Sequence, residues 1–190
     1  MIRAAKPEDA SQVSPLLIDA IEDIAFLLTG TKDPFEAKNA LEHWIAAPAN
    51  RLSYENIRVA EADGQIVGMA LMYAGARIPE LDRPLLAALE ARLPDPPKAF
   101  PEEACEDEFY LDSVAVSALC RGQGIGSQLI QDFERHAEER GHHKVSLIVD
   151  IEKPKAEALY RSLGYAADGE RLLAGHRYHH MVKALPSVSI

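Results

Sequence analysis

The sequence predicts an α/β fold: a mixed, largely antiparallel sheet of about seven strands flanked by helices. Three observations carry this expectation. Ile57 to Ala62 and Gln65 to Tyr73 alternate as strands do and meet at Asp63-Gly64, a hairpin turn pair, so an antiparallel ribbon is present. Phe109 to Ser117, short and rich in aromatic and branched residues, leads through a glycine loop into a helical stripe. The strand after that helix, Lys144 to Val149, must then run parallel to the one before it.

In chain order, Ile2 to Ala5 is a first short strand. Pro7, Glu8 and Asp9 open a helix, with proline near the first helical position and acids in the first turn. Its stripe of Val13, Leu16, Leu17, Ala20, Ile21, Ile24 and Leu28 is interrupted by Pro15, which should kink or split it. A second helix follows from about Pro34 to Ala47, with Phe35, Leu41, Trp44 and Ile45 available for burial. After the hairpin, residues 74–101 form an insert between strands: Leu85, Leu86, Leu89 and Leu93 suggest a helix, and four prolines enclose an irregular link. Pro154 opens a later helix that Gly164 closes, with Glu157 and Arg161 as an i,i+4 pair. Strands from Tyr165 to Leu173 and His176 to Lys183 complete the sheet. With 190 residues, 1–185 is expected to form a single domain, and 186–190 a flexible tail.

The loop Arg121-Gly122-Gln123-Gly124-Ile125-Gly126 lies between strand and helix start, where free backbone N–H groups collect at the positive end of a helix dipole. Glycine lets the backbone approach a large anion, so the physics suits a phosphate or pyrophosphate. On its own the pattern is more readily a tight turn. The dinucleotide fingerprint does not fit, because the third glycine comes one position early, and no Gly-Lys-Ser/Thr of a Walker loop follows.

The combination of motifs is more specific. Arg121 to Gly126 fits the Arg/Gln-x-x-Gly-x-Gly/Ala signature of the GNAT superfamily of N-acetyltransferases. Leu111 to Val116 resembles that family's central strand, Ala156 to Tyr165 its helix with Leu-Tyr-x-x-Leu-Gly, and Ile2 to Ala10 its usual opening. The resemblance implies the GNAT fold with its central strands splayed, and acetyl-coenzyme A as cosubstrate lying in the gap. It also implies site residues. Val114, Ala115 and Val116 would offer backbone groups to the pantetheine arm, with the peptide N–H near Val116 a candidate oxyanion donor. Arg121, Gly122, Gln123, Gly124, Ile125, Gly126 and Ser127 would hold the pyrophosphate. Tyr160 matches the family's general acid; a phenol of pKa about 10 is protonated at neutral pH and can donate toward a leaving thiolate. Its competing role is a core aromatic beside Leu159 and Leu163.

No general base is assigned from sequence. Glu108 and Asp112 share a strand face, with Tyr110 between them, and each is as readily a solvated or structural acid. The acidic run Glu102, Glu103, Glu106, Asp107 and Glu108 is a solvated loop or an attractor of cationic amines. The implied activity is acetyl transfer to a primary amine by direct attack through a tetrahedral intermediate. The acceptor is open among a polyamine, an amino acid derivative, an antibiotic and a protein N-terminus. A non-catalytic acyl-coenzyme A sensor with the same fold is the rival.

Composition narrows the partners. A net charge of −10 argues against nucleic acid or anionic membrane. Cys105 and Cys120 lack redox or metal spacing, no apolar run reaches spanning length, and the cytoplasm is the expected location. The histidines at 142, 143, 176, 179 and 180 complete no ligand pattern, so no metal is expected. The insert is a candidate cover for the acceptor site, a segment that simply packs outside it, or a contact for a homodimer.

Overall fold

The computed structural model of the chain describes residues 1–186; the expected flexible tail lies almost wholly outside them. Seven strands form one sheet in the order β1-β2-β3-β4-β5-β7-β6, with β1 Ile2–Ala4, β2 Ile57–Ala62, β3 Gln65–Ala74, β4 Phe109–Val116, β5 Lys144–Asp150, β6 Ala166–Leu173 and β7 His176–Ala184. Every neighbouring pair is antiparallel except β4 and β5. The hairpin forms as its sequence demands, Asp63 and Gly64 both taking positive φ.

Six helices clothe the sheet: α1 Ala10–Ile21, α2 Ile24–Thr29, α3 Pro34–Ala46, α4 Ile78–Arg92, α5 Ile125–Glu139 and α6 Pro154–Ser162. One core joins Val13, Leu17, Leu41, Ile45, Leu81, Leu85 and Leu89 of α1, α3 and α4 to Met69, Leu71, Tyr73 and Tyr110 of the sheet. The other joins Leu129, Phe133 and Ala137 of α5 to Phe109, Leu111, Val145, Leu147 and Met181. The insert therefore packs α4 into the first core.

Some expectations fail for physical reasons. Helix α1 continues through Pro15, which is exposed; the break falls instead at Glu22, whose φ is +48°. Phe35 is 73% exposed at the first turn of α3, pointing away from the core that takes Leu41 and Ile45. The acidic run is not a uniformly solvated loop, because Glu103 and Glu108 are buried while Glu102, Glu106 and Asp107 are exposed.

Strand β4 is irregular along both of its edges. Leu71 of β3 faces Ser113 and the next residue, Met72, faces Leu111, so Asp112 is an extra residue bulged out of the ladder. On its other side β4 pairs with β5 only from Phe109 to Leu111, opposite Val145 to Leu147. Beyond those residues the two strands part.

Candidate active site

The parting of β4 and β5 opens a cavity of about 270 Å³. Leu111 to Val114 form one wall and Leu147 to Asp150 the other. From one face it is bounded by Asp19, Glu22, Ile24 and Leu28 of the α1–α2 region, and from the opposite face by Ala156 and Tyr160 of α6. The slot thus runs through the sheet, an arrangement that only a lapse in parallel pairing produces.

Tyr160 is brought there by the last turn of α6, a helix that Pro154 opens. Its ring meets Tyr165 edge-on at 6.1 Å, and burial pushes its pKa up to about 12, so the phenol keeps its proton through the neutral range. Of the other expected residues, Val114 lines the same cavity. Ala115, Val116 and the loop from Arg121 to Ser127 lie outside its lining, farther along the β4 side. Gly122 and Gly124 have φ of +76° and +78°, and a Cβ at either would meet nothing within 4 Å, so the loop presents bare backbone outward. The first bond into the helix is from the Gln128 N–H to the Gly124 carbonyl at 3.0 Å, which leaves the Ile125, Gly126 and Ser127 N–H groups as the unpaired start of α5. The Arg121 Nε donates to the Val116 carbonyl at 3.3 Å and ties the loop to the end of β4.

The cavity's third feature was not legible in the sequence. Arg51, 3% exposed, donates to Asp82 at 3.2 Å, Glu103 at 2.9 Å, Asp112 at 2.8 Å and the Tyr73 hydroxyl at 2.8 Å. Tyr73 in turn donates to Asp112, and Tyr110 to Glu103 at 2.6 Å. Arg51, Glu103 and Asp112 all reach the cavity wall. Three carboxylates around one guanidinium leave an excess of negative charge. Burial accordingly pushes Glu103 and Asp82 above the usual carboxylate range, against the pull of Arg51. No local pattern marks Arg51; its partners lie 22 to 61 residues away in sequence. Asp19, Glu22 and Tyr178 of the cavity were equally unmarked.

Glu108, the other carboxylate from that strand face, goes elsewhere. It is fully buried beside the strand start, accepting from the Cys105 N–H at 2.9 Å and lying 3.0 Å from His180 Nε2 and 3.1 Å from Lys144 Nζ. Burial alone would raise its pKa, but the Cys105 N–H, the adjacent Ser146 hydroxyl and His180 together hold it down at about 2. His179, on the opposite strand face, pairs with Glu157 at 3.1 Å. Cys105, Asp107 and Glu108 stand close enough together to share a cation, a grouping that no ligand spacing in the sequence suggests. Lys144 Nζ lies 3.2 Å from Asp107 and 3.1 Å from Glu108, so an ammonium already sits against both carboxylates.

An open mixed sheet, parted beside a strand that runs through a glycine loop into a helix, defines the class of the acyl-coenzyme A N-acyltransferases. Residues 18–165 match the acetyltransferase (GNAT) family. The chain belongs to that family and is an enzyme of the acetyltransferase kind. It is similar to a crystal structure of an acetyltransferase, with 29% identity and a TM-score of 0.81 over 98% of this chain and 100% of that one. An N-acetyltransferase from Staphylococcus aureus Mu50 is also 29% identical, with a TM-score of 0.76 over 96% and 100% of the two chains. N-acetyltransferase 8 of Rattus norvegicus is 29% identical over 115 residues, 60% of this chain; the match spans 41% of that protein's length. Among the described residues no helix is long and apolar enough to cross a membrane.

Proposed function

We propose that the protein transfers an acetyl group from acetyl-coenzyme A to a primary amine by direct attack in the slot between β4 and β5. The observation that carries this is the slot itself, walled by strands that have stopped pairing, with Tyr160 on one face and an acidic wall on the other. The residues suit an extended acyl-coenzyme A. The open backbone of Gly122 and Gly124 and the free N–H groups opening α5 would take the pyrophosphate. The Val114 to Val116 edge would take the pantetheine arm as a missing strand would be taken.

The reaction needs an amine without its proton, a held oxyanion and a protonated leaving sulfur. The Tyr160 hydroxyl, kept protonated by burial, serves as the general acid toward the thiolate. The acceptor enters past Asp19 and Glu22, and its proton leaves toward the acidic wall of Glu103 and Asp112. The bulge matters here: Asp112 is the one acid of its strand face that the cavity receives, whereas Glu108 is committed to His180 and Lys144.

Release of free thiol from acetyl-coenzyme A across a panel of primary amines, with the acetylated amine identified by mass, tests the reading. Thiol release that depends on the amine supports it. Coenzyme binding with no turnover on any amine would instead identify a sensor of the same fold.

A further inference from the structure

A second cavity, of about 490 Å³, lies beside the far end of α5 from the glycine loop, roughly 20 Å away along the helix. Its floor is apolar, formed by buried Ile57, Met72 and Phe109. Its rim is cationic, drawn from separate parts of the chain: Arg58 from β2, Arg77 from the turn before α4, His136 and Arg140 from the end of α5, and His142 beyond it. The two imidazoles stand over the Phe109 ring, with centroids 6.2 Å and 4.9 Å away. One carboxylate, Glu55, shares the lining, and it accepts from the Ala49 N–H.

Cations at a helix C-terminus are ordinary, since they complement the dipole. That explains His136 and Arg140 but not Arg58 and Arg77, which reach the cavity from other elements. Arg58 binds Asp132 through Nε and Nη2, leaving Nη1 over; Arg77 makes one exposed contact to Glu80 at 3.3 Å; Arg140 makes no ion pair among the described residues. The positive field is felt locally. Burial first, then Arg140, lowers the pKa of both His136 and His142, with Arg58 adding to the effect on His136 and His143 on His142. Asp132 and Glu139 oppose it at His136 only in part. All this occurs on a chain whose net charge is −10, where an arginine-lined hollow has no general electrostatic cause.

We propose that this cavity binds a small phosphorylated molecule. Its phosphate is held by Arg77 and Arg140 with the spare edge of Arg58, and its apolar portion lies on Phe109 and Met72. Arginine forks suit phosphate oxygens, neutral imidazoles add further donors, and the volume matches small-ligand sites. The site stands apart from the acetyl-transfer slot and does not depend on the reading of that slot.

Histidine ring-proton NMR of the whole protein, titrated with pyrophosphate in the absence of coenzyme A, tests this. The His136 and His142 signals report this cavity alone, whatever binds at the glycine loop. Saturable shifts are expected, with both imidazoles titrating at higher pH in the bound state. In an Arg77→Ala/Arg140→Ala double variant the affinity should fall about tenfold or more. Shifts that do not saturate, that persist unchanged in the double variant, or that follow protein concentration because a second copy covers the cavity would each overturn the proposal. Stronger saturation by citrate than by pyrophosphate would overturn its assignment to phosphate.

Discussion

Arg51 and Asp112 meet at 2.8 Å, each less than a tenth exposed, at the point where the bulge in β4 turns the aspartate out of its ladder. The pair links a loop residue to the wall of the slot, and it does so inside a cluster richer in acids than in bases. Its removal has a calculable sign. Arg51→Met keeps an unbranched apolar stem but leaves Asp82, Glu103 and Asp112 buried without their cation, which should cost about 3–5 kcal/mol at pH 7. The deficit should narrow as pH falls, because orphaned carboxylates protonate rather than remain charged in the interior. Denaturant unfolding at pH 7 and pH 5 checks this; a deficit equal at both values would count against it.

Tyr160→Phe retains the ring that packs against Tyr165 and removes only the hydroxyl. With thiolate protonation as its role, kcat should fall by about 10²–10⁴-fold while melting temperature and coenzyme affinity hold. The loss should ease with an acetyl donor whose thiol is more acidic. Because the phenol titrates near pH 12, the wild-type rate should show no alkaline fall from this group below about pH 11.

Gly124 and Gly64 form a matched pair: φ of +78° and +74°, and open space where each Cβ would stand. Alanine at either position should therefore cost a similar ~1 kcal/mol of backbone strain. Only Gly124→Ala should also weaken coenzyme A binding, read by calorimetry against the Gly64→Ala control. Equal coenzyme affinity in the two variants would take the loop out of the site.

Glu108 sets an acid limit on stability. Its carboxyl is held at about 2 in the folded chain, below the ~4.3 of an exposed glutamate, so it binds fewer protons folded than unfolded. Its contribution, about 3 kcal/mol, is complete above pH ~4.5 and is lost as pH falls toward 2. Glu108→Gln should flatten that part of the stability profile in acid denaturation, while a wild-type slope in the variant would place the acid sensitivity elsewhere.

The sequence made the scaffold legible where local chemistry decides the outcome. Asp63-Gly64 compels a hairpin, and the run from Phe109 into the glycine loop and α5 compels a parallel partner for β4. Tyr160 could be singled out because its motif is continuous in sequence from α6 into the next turn, and it does line the cavity. What escaped was non-local. Arg51 sits in a loop with nothing periodic about it, and its significance comes from Asp82, Glu103 and Asp112, gathered from three separate segments. The bulge escaped too, since strict alternation treats Glu108 and Asp112 alike, while one extra residue sends them to different destinations. Pro15 shows the converse: a strong local breaker is overridden when its side chain faces water and the helix has α3 and the sheet to pack against.

The separation of β4 from β5 after Leu111 and Leu147 gives the sheet a pair of inner margins in addition to β1 and β6 at its outer ends. Unpaired strand margins are where foreign strands add and where chains aggregate. Here they are covered by α1 and α2 on one face and α6 on the other, which stands in the way of an added strand. The roof is clasped by Lys153 to Glu22 at 2.7 Å, a contact spanning 131 residues of chain. Helices that look like ordinary cladding thus act as chaperones in cis for the least protected hydrogen-bonding groups of the fold.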